Sequence, residues 1–350
     1  MPKIAIIGTT TWGKTLGVVL SHKGLEVRLW ARTQQEAAEL RKAGPNSALL
    51  PGATFPPQLS ITSSLDEALA GVKAVILVVP SQTMRRNIKL VQGYLDESMI
   101  IVSAAKGLEL GSCKRMSEVI AEEIDPCCRP NICVLSGPNL SREIIRDLPA
   151  ATVVAAEDEA VAREAQELLT APNFCVYTNG DVIGVELGGA LKNIIALGAG
   201  MVDGLGYGDN AKAAFITRGV IEMAALGLTL GANPLTFAGL AGVGDVITTC
   251  ASPLSRNHHV GAELTKGRSL KEITASMTGV AEGVNTTIAA RELAQRLGLE
   301  MPITEKIYQV LFEGADPRQA IVEAMAAEAK HELAGQKWGL SSFFRNEERS

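Results

Sequence analysis

The 350-residue chain has no surplus of basic residues: 33 lysines and arginines face 38 acids, a formal net charge of -5. Without such a surplus there is no general attraction to nucleic acid or to an anionic membrane, so a small anionic ligand needs a local pocket of cations. Long apolar runs are also missing. The run Ala74–Val79 falls far short of the roughly 20 residues of a spanning helix, and no membrane span is expected. The run Ile4–Ile7 after Lys3 is shorter than the about 7–15-residue apolar region of a secretory leader, which makes the cytoplasm the expected location. The six cysteines, at 113, 127, 128, 133, 175 and 250, form no C-x-x-C and no Cys/His ligand spacing. A disulfide framework and structural zinc are thereby excluded, and the cysteines read as small apolar fillers. His258 and His259 are adjacent, so on a helix they diverge, and no metal site is expected.

What the chain does have is apolar material, 47% of its residues, enough at this length for buried cores in two domains. From Lys3 to about Tyr177, short β-branched runs alternate with helical stretches. Ile4–Ile7, Val27–Trp30, Ala74–Val79, Met99–Val102, Ile132–Leu135, Thr152–Ala155 and Phe174–Tyr177 read as strands. Runs apolar on both faces, separated by amphipathic helices, are what a parallel sheet covered on both sides requires. The fold class is therefore α/β, with an N-terminal doubly wound, Rossmann-type parallel-sheet domain over residues 1–180. Beyond it Val182–Val202, Ala211–Leu226, Leu270–Thr274, Val284–Leu297, Ile303–Leu311 and Pro317–Glu328 carry helical periodicity. An all-α domain is expected over 181–340, followed by a polar tail at 341–350.

The stretch Gly8-Thr9-Thr10-Thr11-Trp12-Gly13 follows the first strand and opens a helix expected over Thr11–Leu20. It departs from G-x-G-x-x-G at the second glycine, which here is Thr10. Its place at the start of a βαβ unit still favours a dinucleotide site, with Gly8 and Gly13 shaping the loop and the helix amides facing a phosphate. The β-branched Thr10 is expected to narrow the approach, so that Thr10→Gly tightens binding. The second strand ends Leu29-Trp30-Ala31-Arg32, with no acid where an enzyme choosing NAD commonly engages the ribose 2′-hydroxyl. Arg32 pairs with a 2′-phosphate or is a solvated turn residue, and NADP is favoured over NAD.

These residues, together with Lys106-Gly107-Leu108-Glu109, Ser136-Gly137-Pro138, Glu186-Leu187-Gly188-Gly189-Ala190-Leu191-Lys192-Asn193, Gly242–Asp245 and Ser255-Arg256-Asn257, make the chain resemble bacterial-type NAD(P)-dependent glycerol-3-phosphate dehydrogenases. The likeness runs from Ile4 to about Leu333. It implies interconversion of dihydroxyacetone phosphate and sn-glycerol 3-phosphate for phospholipid synthesis, with NADP or NAD as cofactor, in a homodimer. By the same likeness Lys192 is the general acid/base, and Lys106, Gly137, Asn139, Lys192, Asp245, Ser255, Arg256 and Asn257 contact substrate. Gly8, Thr11, Trp12, Gly13, Arg32, Lys106, Ser141, Arg256, Val280 and Glu282 are implied to hold the cofactor. The chain departs from the family at Thr10, at Asn139 where Ser or Thr is typical, and at Ser141 where Ala is typical.

Reducing a ketone requires a hydride on carbon and a proton on oxygen, and Lys192 in an apolar, glycine-rich helix suits the second task. Gly188 and Gly189, four and three residues before it, are expected to leave space on its face for a ligand. Arg256 offers a guanidinium fork to the phosphate, with Ser255 and Asn257 beside it; the alternative is a Ser255 N-cap with a solvated arginine. Asp245 either meets a substrate hydroxyl, holds a lysine in place, or is an ordinary turn aspartate. Asn193 orients a ligand or packs. Two rival readings are another NADP-dependent 2-hydroxy or 3-hydroxy acid dehydrogenase and a dinucleotide sensor without turnover.

Overall fold

A computed structural model describes residues 2–44, 55–277 and 279–326; the expected tail at 341–350 and the last part of the 181–340 segment lie outside them. Eight strands form one sheet: β1 (Lys3–Ile7), β2 (Glu26–Trp30), β3 (Leu59–Thr62), β4 (Ala74–Leu77), β5 (Ile100–Ser103), β6 (Ile132–Ser136), β7 (Ala150–Ala155) and β8 (Phe174–Asn179). Their order is β3-β2-β1-β4-β5-β6-β7-β8. The alternation of side chains along each strand feeds two cores. Ile4 and Ile6 of β1 join one cluster with Leu29, Ile76, Val102 and Leu135, while Ala5 and Ile7 join the other with Val75, Leu77 and Ile101. Both faces are therefore apolar, as a parallel sheet clad by helices demands.

Two features of the sheet differ from the sequence reading. β3 is an extra strand at the edge: Leu59-Ser60-Ile61-Thr62 pairs in parallel with β2, but a four-residue run with two polar members carries too little apolar signal to stand out. The sheet is also not wholly parallel, because β7 runs antiparallel to β6. The segment between them holds only the short helix Ser141–Ile144, and pairing direction depends on the crossover rather than on the composition of either strand.

Strand order reverses at β1, whose two neighbours are β2 and β4. Such a switch point leaves a crevice beyond the carboxyl ends of the strands, the usual ligand position in open α/β sheets. Gly8 lies at the end of β1 with a φ of 120°. A Cβ there would stand 2.4 Å from the Val78 carbonyl oxygen just past β4, so only glycine lets the two strand ends close on each other.

The second half is helical and is organised around Val182–Gly204, the central helix. This element is long and apolar enough to cross a membrane, which differs from the expectation that the chain has no apolar segment of that length. The fold gives the reason: 89% of its most apolar stretch is buried within the protein, so it is a core helix. Its glycines are contact points. A Cβ at Gly200 would meet the His258 carbonyl oxygen at 2.0 Å, and one at Gly261 would meet that of Leu197 at 1.9 Å, which draws helix Arg256–Leu264 onto the central helix backbone to backbone. The two halves are locked by Glu186 of the central helix, which accepts 2.8 Å hydrogen bonds from Arg115 Nη1 and the Ser117 amide. Burial raises the Glu186 pKa, and Arg115 opposes the shift.

Candidate active site

The central helix delivers Lys192 to the junction of the two halves, where its side chain is 10% exposed. Its Nζ donates to Asp245 Oδ1 at 2.7 Å and to Thr249 Oγ1 at 2.6 Å. The other oxygen of the same carboxylate, Asp245 Oδ2, accepts from Lys106 Nζ at 2.6 Å, and Lys106 also donates to the Gly137 carbonyl at 2.7 Å. One carboxylate with a 1% exposed side chain thus clamps two ammonium groups from opposite halves of the protein. Each lysine has three N–H donors and spends two, so one from each remains for a ligand oxygen.

Local sequence explains how Asp245 reaches this point. It opens helix Asp245–Ala251 after a tight turn in which Gly242 takes a non-helical conformation. A Cβ on Gly242 would lie 2.0 Å from the Phe237 carbonyl oxygen, so the turn needs glycine. Thr249, one helical turn after Asp245, then lies on the same face and completes the shell around Lys192.

The electrostatics follow from burial. Desolvation lowers the Lys106 pKa from 10.5 to about 8, against the opposing pull of Asp245. For Asp245 burial favours the neutral acid, but the Lys106 and Lys192 ammonium groups outweigh it and hold the carboxyl below its usual range. Of the three readings for Asp245, the geometry selects the residue that holds a lysine, and it holds two.

The glycines before Lys192 do not leave ligand space. A Cβ at Gly188 would meet the Ala241 carbonyl oxygen at 2.4 Å, and one at Gly189 would meet Ser136 Oγ at 2.3 Å. They let the helix seat against the Gly242 turn and the end of β6, which positions Lys192 rather than opening room beside it.

An amide relay joins the lysine pair to a second cluster. Asn193 Nδ2 donates to the Lys106 carbonyl at 3.3 Å, its Oδ1 accepts from Asn257 Nδ2 at 2.8 Å, and Asn257 Oδ1 accepts from the Gly283 amide at 3.0 Å. Asn257 is therefore committed to the scaffold at both ends of its amide. Ser255 Oγ accepts from the His258 amide at 3.2 Å and caps helix Arg256–Leu264. Arg256, the first residue of that helix, is exposed and lies against Gly279, where a Cβ would be 2.6 Å from its Nη1. Glu282 accepts from the Ser81 amide at 3.1 Å and from the Ser81 hydroxyl, tying the carboxyl side of β4 to the helical half. Val280 beside it is 40% exposed.

At the switch point a cleft of about 230 Å³ is lined by Gly8, Thr9, Thr10, Trp30, Arg32, Glu36, Val79, Pro80 and Asn87. Thr10 does not narrow it as expected. Its hydroxyl donates to the Val78 carbonyl at 3.1 Å and accepts from the Gly13 amide at 3.1 Å, capping helix Thr11–His22. The side chain turns toward the strand ends, and the amides of Thr11 and Trp12 form the open end of the helix. A Cβ at Gly13 would meet the Gly8 carbonyl oxygen at 2.2 Å. The Trp12 ring packs edge-on to Phe174, and its indole N–H is buried with no partner among the described residues. An open helix end and a cleft at the strand ends fit the phosphate and ribose portions of a dinucleotide.

Asn139 and Ser141 lie outside both clusters. Asn139 Nδ2 donates to Thr152 Oγ1 at 3.0 Å, while Ser141 opens helix Ser141–Ile144. Thr249, Ser81 and Glu36 were not found from sequence. Only Glu36 carried a signal, since Thr33-Gln34-Gln35-Glu36 matches a capping box. Its amide does bond to Thr33 Oγ1 at 3.1 Å.

The family models for the amino-terminal and carboxy-terminal parts of NAD-dependent glycerol-3-phosphate dehydrogenase match residues 3–162 and 181–322. The chain belongs to the NAD-dependent glycerol-3-phosphate dehydrogenase family. A glycerol-3-phosphate dehydrogenase, NAD(P)+, from Dehalococcoides mccartyi is 60% identical over 99% of this chain and 96% of its own length. One from Geobacter metallireducens is 48% identical over 94% and 98%. The crystal structure of the glycerol-3-phosphate dehydrogenase of Coxiella burnetii superposes with a TM-score of 0.87 at 37% identity, covering 93% of this chain and 99% of that one. This member of the family is accordingly an oxidoreductase that uses NAD or NADP, with a Rossmann-type domain and a helical domain. Hydroxy acid dehydrogenases and a non-catalytic sensor give way to this assignment.

Proposed function

We propose that the chain reduces dihydroxyacetone phosphate to sn-glycerol 3-phosphate, with Lys192 as the proton donor. The observation that carries the reading is the Asp245 clamp, which fixes two ammonium groups at the seam between the sheet and the helices. The bound nicotinamide cofactor supplies the hydride. Lys192 donates its remaining proton to the substrate oxygen as negative charge develops there, and takes it back in the reverse direction. Asp245 and Thr249 hold Nζ in place so that little reorganisation accompanies the transfer. Lys106, tethered to the Gly137 carbonyl, offers a second N–H to the substrate.

Arg256 is the phosphate ligand in this reading, and Gly279 gives its guanidinium room to lie along the backbone. Ser255 and Asn257 support it through the helix cap and the amide relay rather than through direct contact. Gly8, Gly13 and the amides of Thr11 and Trp12 hold the pyrophosphate, with Arg32 at the ribose end favouring NADPH. The family likeness supports extending the reading to a cytoplasmic homodimer that supplies phospholipid synthesis.

Lys192→Met tests the assignment. It should abolish NADPH oxidation with dihydroxyacetone phosphate while leaving NADPH affinity, followed by fluorescence titration, within a few fold. Retained turnover would remove Lys192 from the chemistry, and lost NADPH binding would make it a structural residue.

A further inference from the structure

The cleft at the strand ends contains an acid as well as Arg32. Glu36, in the first turn of helix Gln34–Ala43, folds back so that Oε2 accepts from the Arg32 amide at 2.9 Å and Oε1 accepts from the Thr9 hydroxyl. The first contact belongs to the helix start. The second spans 27 residues of sequence and ties the glycine loop to the end of β2, so helix capping alone does not account for it. The carboxylate lines the same cleft as Gly8, Thr9 and Arg32. No acid ends β2, but one arrives there from the next helix.

We infer that Glu36 is a specificity residue for the ribose end of the cofactor, opposing Arg32. The inference rests on the dinucleotide reading of the cleft. A carboxylate accepts a hydrogen bond from a ribose 2′-hydroxyl and repels a 2′-phosphate, whereas the Arg32 guanidinium attracts that phosphate. With both at the mouth of one cleft, neither cofactor is excluded and the preference is a balance of the two. Arg32 is exposed and free to swing, while Glu36 is held at both oxygens, so Glu36 is the fixed element of the pair.

The test uses the full chain and two probes, 2′,5′-ADP and 5′-AMP, titrated calorimetrically into wild type and Glu36→Gln. Glutamine keeps the shape and an acceptor but removes the charge. The ratio of affinities should shift about tenfold toward the 2′-phosphorylated probe, the size expected for one nearby charge under partial screening. The ratio of kcat/KM for NADPH over NADH should shift by a similar factor in the same direction. An unchanged ratio in both measurements, with the melting temperature preserved, would overturn the inference and leave Glu36 as a loop staple. If Glu36→Gln does not fold, Glu36→Ala is read by the same ratio. Wild type that binds neither probe would overturn the cleft assignment itself, and this inference with it.

Discussion

Replacing Asp245 by asparagine is the most informative single perturbation, because it removes one charge and leaves the shape. In the native site each carboxylate oxygen neutralises one ammonium group, at 2.6 Å for Lys106 and 2.7 Å for Lys192. With an amide in its place the Lys106 ammonium loses the attraction of a full charge, about 4 kcal/mol at about 4 Å and an effective dielectric constant of about 20, while the Lys192 ammonium that already opposes it in the native site remains. The cheapest relief is loss of a proton. Lys106, already lowered to about 8 by burial, is the group whose ionisation Asp245 supports. At about 1.4 kcal/mol per pH unit, that lost attraction moves the Lys106 ionisation down by about three units. The assay is the pH profile of kcat/KM for dihydroxyacetone phosphate. Wild type should lose activity as pH rises through about 8, and Asp245→Asn should lose it about three units lower, with a reduced plateau on the acid side. An alkaline limb that stays in place in the variant would refute the argument that the carboxylate sustains this charge.

Three further outcomes follow from the packing and the caps. Thr10→Gly should weaken NADPH binding a few fold and lower the melting temperature, because it deletes the cap on Gly13 and the bond to Val78, each worth about 1 kcal/mol; tighter binding in a titration would contradict this. Arg256→Ala should raise the KM for dihydroxyacetone phosphate by an amount equivalent to about 1.5–3 kcal/mol, with a smaller change in kcat; an unaltered KM would remove Arg256 from the phosphate. Glu222, buried against the Ile303 and Thr304 amides, has its pKa raised by burial from 4.5 to about 7. The native state therefore keeps this proton while the unfolded chain releases it, and the stability it contributes is full below pH 4.5 and declines as pH rises through 7. Glu222→Gln should flatten that part of the urea-stability profile, and an unchanged slope would show that another group is responsible.

Much of the sheet was legible because β-branched runs such as Ile132–Leu135 are apolar on both faces, a pattern that a buried parallel strand requires wherever it lies. Lys192 was legible through the resemblance of its helix, since periodicity alone places a lysine equally well at the surface. The antiparallel β7, the Thr249 contact and the inward turn of Thr10 depend on where distant segments meet. The position of Glu36 is hidden for the same reason: β2 itself ends without an acid, and the carboxylate reaches the cleft from four residues beyond Arg32, around a helix start.

The glycines of the central helix have a practical consequence for anyone seeking a hardier enzyme. Swapping helical glycine for alanine ordinarily gains about 0.4–1 kcal/mol by restricting the denatured chain, but here a methyl at Gly188, Gly198 or Gly200 would sit 2.0–2.4 Å from an atom already present. Heat-tolerant variants should be sought instead at Gly93 or Gly180, where nothing stands within 4 Å.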